Sequence, residues 1–182
     1  MQIIQAPNEV LSKKAEEVKK VDKKIVNLIN EMKITLEQAL DPEGVGIAAP
    51  QVNKSLQIFI IKEDKKAPFK VFINPKMEII KEPKMPKKSK KTKEDTQLEG
   101  CLSLKDIWGE VKRENKLRLE WLNENGEKQN EIFTGFLATI IQHEYDHLQG
   151  ILFPKRVLEQ NNKLYKLKRN KNNKEVFEEI VI

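Results

Sequence analysis

Two histidines four residues apart constrain this chain more than any other feature. His143 and His147 are its only histidines, and Glu144 directly follows the first, in the run His143-Glu144-Tyr145-Asp146-His147. On a helix, residues four apart share a face, so both imidazoles can reach one metal ion. Glu144 then lies beside that ion and can act as a general base. Ile140, Ile141 and Leu148 suit a buried helix here, predicted over 136–149 and ended by Gly150.

An open catalytic metal site usually takes three protein ligands, so a third must be found. A metalloprotease would draw a carboxylate from downstream of the helix, and Glu159, Glu175, Glu178 and Glu179 are available. The other source is the single cysteine, in Glu99-Gly100-Cys101-Leu102-Ser103. A thiolate is a strong ligand for divalent transition metals, but a lone cysteine is also often an inert buried residue. The residues alone leave this choice open.

The rest of the chain predicts an α+β fold. Asn8 to Lys20 is expected to be a short charged helix. A longer one, capped by Asp22, carries Ile25, Leu28, Ile29, Met32, Leu36, Ala39 and Leu40 at helical spacing and ends at Asp41-Pro42-Glu43-Gly44. Strands are predicted over 57–62 and 69–73, the second broken by Asn74-Pro75 and resumed over 77–80. Leu117 to Trp121 alternates apolar and charged residues, and Asn125-Gly126 turns it into a strand around 131–133. The tail from Val157 is read as helical. Helices, then strands, then a late helix imply antiparallel or mixed sheets around a central helix bearing the metal motif, with N-terminal helices.

One domain over 1–182 fits the length. Its low-complexity part is 81–97, where seven of 17 residues are Lys. A solvated flexible loop is the plainer reading, and a basic contact with RNA the sharper one. The basic tail, 158–182, poses the same choice. The net charge is +6, yet only four basic residues are Arg and no RNA-binding motif is present, which argues against a nucleic-acid binder. One cysteine excludes an intrachain disulfide. No signal-like start and no apolar span long enough for a bilayer are seen, so a soluble cytoplasmic protein is expected, with no membrane and no specific DNA partner.

Three segments, in this order, resemble the peptide deformylase family: Gly44-Val45-Gly46-Ile47-Ala48-Ala49-Pro50-Gln51, Glu99-Gly100-Cys101-Leu102-Ser103, and Gln142-His143-Glu144-Tyr145-Asp146-His147. Flanking Ile73-Asn74-Pro75 and Gly150-Ile151-Leu152-Phe153 agree, so the resemblance spans about Ile4 to Val157.

The resemblance implies hydrolysis of the formyl group from the N-formylmethionine of nascent polypeptides, with release of formate. It makes Cys101 the third metal ligand beside His143 and His147. The implied metal is one divalent ion, Fe²⁺, with Zn²⁺, Ni²⁺ or Co²⁺ able to replace it in purified protein. A metal-activated water attacks the formyl carbonyl, with Glu144 as general base and then acid. The Gln51 amide and the Leu102 backbone N–H donate to the oxyanion. Val45, Gly46, Phe136, Thr139 and Ile140 are implied around the substrate, and side chains at Gly44 and Gly46 would crowd it. Glu43 and Asp146 are candidate partners for the ligating histidines, and Glu99 with Arg113 a supporting pair. Some family members contact the ribosome through a C-terminal segment, which the basic tail would suit. Two positions depart from the family: Lys105 and Trp108 stand where a Pro and an Arg are common.

Overall fold

The computed structural model describes all residues except 40–43, 65, 82–97, 171–172 and 182. Three helices, α1 (Lys23–Glu37), α2 (Gly135–Leu148) and α3 (Phe153–Glu159), combine with two sheets. The first sheet has the order β1 (Gly46–Ala48), β2 (Ile58–Ile61), β3 (Lys70–Ile79), β6 (Lys116–Leu122) and β7 (Lys128–Thr134). The second has the order β4 (Leu98–Cys101), β5 (Leu104–Glu110), β8 (Leu164–Arg169) and β9 (Glu175–Ile180). All pairings between these strands are antiparallel, and the one parallel contact described is an isolated bridge between Glu16 and Leu56. The α+β expectation is met.

The five-stranded sheet carries helices on both faces. Strand side chains alternate between faces, so Ile58, Ile60, Val71 and Ile73 pack with Leu28, Ile29, Met32 and Leu36 of α1. Phe59, Ile61 and Phe72 point the other way, onto Ala138, Ile140, Ile141 and Leu148 of α2. That explains why β2, Ile58-Phe59-Ile60-Ile61, is apolar at every position. Fully burying one such side chain contributes about 1.5–3 kcal/mol. The Asp22 carboxylate caps α1, accepting from the Lys24 and Ile25 amides at 2.9 and 3.1 Å.

α2 is held at its far end by Gly150. Its φ is 70°, and a Cβ there would stand 2.7 Å from the Ser12 carbonyl. Only glycine fits both conditions.

Four expectations are corrected. Asn8–Lys20 forms only a 3-10 turn, Glu9–Ser12. Beyond it, tertiary partners take the backbone groups: Ala15 N–H donates to Leu148 and Glu16 N–H to Ser55, while the Glu16 carbonyl accepts from Gln57. The helix over 23–37 stops at Glu37, short of 41–44, and residues 40–43 lie outside the described residues. Asn74-Pro75 does not break β3. The register shifts between Ile73 and Lys76, with Asn74 at φ 51°, which makes a bulge rather than an end. The Asn74 side chain secures it by accepting from Val18 N and donating to Val18 O, both at 2.8 Å. Finally, the tail beyond α3 is not helical but a β8–β9 hairpin added to the edge of β5. The Lys-rich stretch lies outside the described residues apart from exposed Lys81.

Candidate metal centre

The two histidines sit one turn apart on α2, their ring centroids 5.0 Å apart. Cys101 reaches them from the other sheet. It ends β4, just where the β4–β5 register shifts, between Gly100 and Cys101. Its Sγ stands 3.2 Å from Nε2 of His147. One ligand atom from each of Cys101, His143 and His147 lies within 4.8 Å of the others. The carboxylates Glu159, Glu175, Glu178 and Glu179 do not join them. They pair instead with Arg156, Arg169, Lys168 and Lys163. Among the described residues, the group able to hold a metal is thus the thiol with the two imidazoles.

A buried charge network supports His143. Its Nδ1 stands 3.0 Å from Oε2 of Glu99. Arg113 donates to both Glu99 oxygens, at 2.8 and 3.0 Å, and to Asp146 Oδ2 at 2.6 Å. Arg156 donates to Asp146 as well, at 2.7 and 3.1 Å. Glu99 and Arg113 therefore form the expected pair, but Asp146 turns to the two arginines and not to a histidine. Glu43, the other candidate partner, lies outside the described residues.

Glu144 is 3% exposed, and its Oε2 has no hydrogen-bond partner among the described residues. Burial, reinforced by the charge of Glu99, pushes its carboxyl up to about 7. Its other oxygen fills the space above Gly46, where a Cβ would stand 2.5 Å from Oε1. Gly46 is therefore bare to admit Glu144. A Cβ at Gly44 would meet Leu36, Leu102 and Ala39. Neither glycine was expected to answer to these protein neighbours.

Burial, with the nearby charges of His143 and Arg113, holds His147 well below its ordinary value and so neutral, as a ligand must be. For His143 burial acts in the same direction, but hydrogen bonds with Cys101 and Glu99 and the charges of Cys101 and Glu144 outweigh it and raise the ring's affinity for a proton. A cation would satisfy the same acceptors. The donor set thus suits a divalent transition metal.

Gln51 closes the side near Cys101. Its Oε1 accepts from Ala48 N at 2.8 Å, and its Nε2 donates to Ser103 Oγ at 3.2 Å and lies 3.5 Å from Cys101 Sγ. Leu102 follows Cys101 at the turn into β5, its carbonyl accepting from Gln5 Nε2. The sequence reading assigned no role to Gln5 or Ser103. Ser103, 1% exposed, was visible only as the last letter of the cysteine motif. Of the expected substrate-facing residues, Ile140 is in the core with Val45 packed against the same cluster. Thr139 sits one turn beyond Gly135 and its hydroxyl donates to that carbonyl at 3.5 Å. Phe136 is 49% exposed at the start of α2.

The family model described as polypeptide deformylase matches residues 1–163. The peptide deformylase of Psychrobacter cryohalolentis is 41% identical over 153 residues, covering 83% of this chain and 76% of that protein. That of Aquifex aeolicus is 40% identical over 159 residues, covering 85% and 86%. Among solved structures, the peptide deformylase of Thermotoga maritima superposes with a TM-score of 0.69 at 33% identity, covering 85% of this chain and 95% of that one. The Synechococcus elongatus enzyme in complex with actinonin gives 0.69 at 32% identity, covering 88% and 82%.

Proposed function

This chain belongs to the polypeptide deformylase family, and we propose that it is an enzyme that hydrolyses the formyl group from the N-formylmethionine of nascent polypeptides, releasing formate. The observation that carries the proposal is the meeting of Cys101, His143 and His147 beside a buried Glu144 oxygen that no hydrogen bond from the described residues engages.

Cys101, His143 and His147 would hold one divalent ion, with Fe²⁺ the natural choice and Zn²⁺, Ni²⁺ or Co²⁺ able to replace it. When bound, such an ion lowers the pKa of a water and polarises a carbonyl. Glu144 takes a proton at Oε2 and returns it to the departing amine, a role suited to a carboxyl titrating near neutral pH. Gln51 Nε2 and the Leu102 backbone N–H donate to the oxygen that gains charge. Glu99 orients His143 through Nδ1. Val45, Gly46, Phe136, Thr139 and Ile140 border the methionine, and the peptide beyond it binds through main-chain hydrogen bonds, which tolerate many sequences.

No described helix is long and apolar enough to cross a membrane, and the proposed setting is cytoplasmic, in a single catalytic domain. Ribosome contact through the C-terminal segment rests on its positive charge. Three of those cations, Lys163, Lys168 and Arg169, pair with glutamates of β9. Cosedimentation with ribosomes that survives deletion of everything after Lys163 would remove that contact.

The decisive experiment is formate release from a formyl-Met peptide by metal-replete protein. Wild type should turn over and Glu144→Gln should not. No release by the wild type overturns the proposal.

A further inference from the structure

Cys101 sits on a strand with little of its own to hold it. β4 is four residues long and, among the described residues, lies at the edge of its sheet, paired on one side by β5. Gly100 has no side chain to pack, and the register slips between Gly100 and Cys101. What covers Gly100 is Trp108, its cross-strand partner. A Cβ on Gly100 would stand 3.0–3.1 Å from three carbons of the indole, so the ring lies directly over the Gly100 backbone.

Trp108 is braced in turn. It pairs with Tyr165 of β8. Phe177 of β9 packs edge-on against it, ring centroids 5.9 Å apart at 79°, and Tyr165 meets Phe177 in the same manner at 6.5 Å. The Tyr165 hydroxyl donates to Glu110 Oε1 at 2.8 Å, tying β8 to the end of β5. On the opposite face, Leu164 and Ile180 of the hairpin join Phe153 and Val157 in the cluster that buries Cys101. The hairpin therefore grips the Cys101 strand from both faces. It also begins at Leu164, immediately past residue 163, where the match to the family model ends.

We infer that the C-terminal hairpin β8–β9, acting through Phe177 and Trp108, is the positioning device for the Gly100–Cys101 peptide and hence for the thiol ligand. Without the indole, Gly100 regains the φ/ψ freedom that glycine has and other residues lack, and the thiol loses its fixed approach to His147. A ligand held less precisely binds metal less tightly, and outer supports of this kind are typically worth about 10–100-fold in affinity or activity. The inference rests on Cys101 being a ligand but not on the identity of the substrate.

The test is titration of metal-free protein with Co²⁺, following the near-ultraviolet thiolate-to-cobalt absorption, with Cys101→Ser to identify that band. Phe177→Ala and Trp108→Ala should weaken Co²⁺ binding about tenfold or more and shift or weaken the band. They should lower kcat on a formyl-Met peptide with little change in KM. Trp108→Phe should restore much of both. Ile132→Ala, an apolar truncation at a similarly exposed position in the other sheet, should leave the band unchanged. Phe177 is 49% exposed, so its variant is the one expected to fold if Trp108→Ala does not. An unchanged band and affinity in folded Phe177→Ala overturns the inference, whether or not Trp108→Ala folds. So does a change confined to KM, which would make Trp108 a wall of the peptide site. Cobalt binding through Cys101 without formate release would sink the proposed activity and leave this inference standing.

Discussion

Oε2 of Glu99 lies 3.0 Å from Nδ1 of His143, while both oxygens of the same carboxylate accept from Arg113. One buried carboxylate thus holds the imidazole of a candidate metal ligand and shares, with Asp146, the charge of a buried guanidinium. Burial opposes its ionisation, but the hydrogen bonds from His143 and Arg113 and their charges prevail and hold it at about 2. Its folded value is depressed, so its stabilisation is present above pH 4.5 and lost as pH falls toward 2. Glu99→Gln should cost up to about 3 kcal/mol of stability, because Arg113 then keeps only Asp146 of its two buried carboxylate partners. It should also weaken metal binding about 10–100-fold. Denaturant melts and metal titration of the variant check both, and wild-type metal affinity in Glu99→Gln would refute the orienting role.

Glu144 shows the opposite linkage. Burial raises its carboxyl from 4.5 to about 7, so the folded metal-free protein holds a proton that the unfolded chain releases. The stabilisation is complete below pH 4.5 and lost as pH rises through about 7. It amounts to roughly 3 kcal/mol at about 1.36 kcal/mol per pKa unit. The metal-free wild type should therefore lose stability relative to Glu144→Gln as pH rises from 4.5 to about 7. Comparing the two proteins isolates Glu144 from the histidines that titrate nearby. Parallel Tm-versus-pH curves would contradict the assignment.

Gly46→Ala should damage catalysis more than folding. The new methyl would stand 2.5 Å from Oε1 of Glu144 and 2.8 Å from its Cδ, so the proposed general base must move. A displacement of about 1 Å can cost about 100-fold in rate. The expected result is a large drop in kcat with metal content retained, measured alongside a melting curve. Unimpaired kcat would mean that Glu144 can act from another position.

Gln51→Ala removes a donor next to Cys101 and leaves the buried Ala48 amide without its acceptor. Loss of an oxyanion donor typically costs about 2.7–4 kcal/mol, or about 100–1,000-fold in kcat. Metal affinity should change far less, since Gln51 is not among the ligands. Steady-state kinetics with metal analysis separates the two effects. A variant that loses metal and keeps kcat per bound ion would reassign Gln51 to a structural role.

By itself the sequence determined the parts whose information is local. The spacing of His143, Glu144 and His147 needs only a helix to put the imidazoles together, and the Asp22 cap, the α1 stripe and the Asn125-Gly126 hairpin are read over a few residues. The segments around Gln51 and Cys101 were legible as motifs, through resemblance and not through any pattern of alternation, because β1 and β4 are too short to show one. The tertiary structure decided the rest. It took the third candidate ligand from a different sheet, turned Asp146 toward arginines, put Glu144 where a Gly46 side chain would be, and made strands of the tail. Each of these depends on groups far apart in the chain: β8 is a strand because β5 offers it an edge, and Glu144 titrates near 7 because distant elements bury it. Even the first feature, two histidines on one helix face, becomes a metal site only when the fold delivers Cys101 to Nε2 of His147.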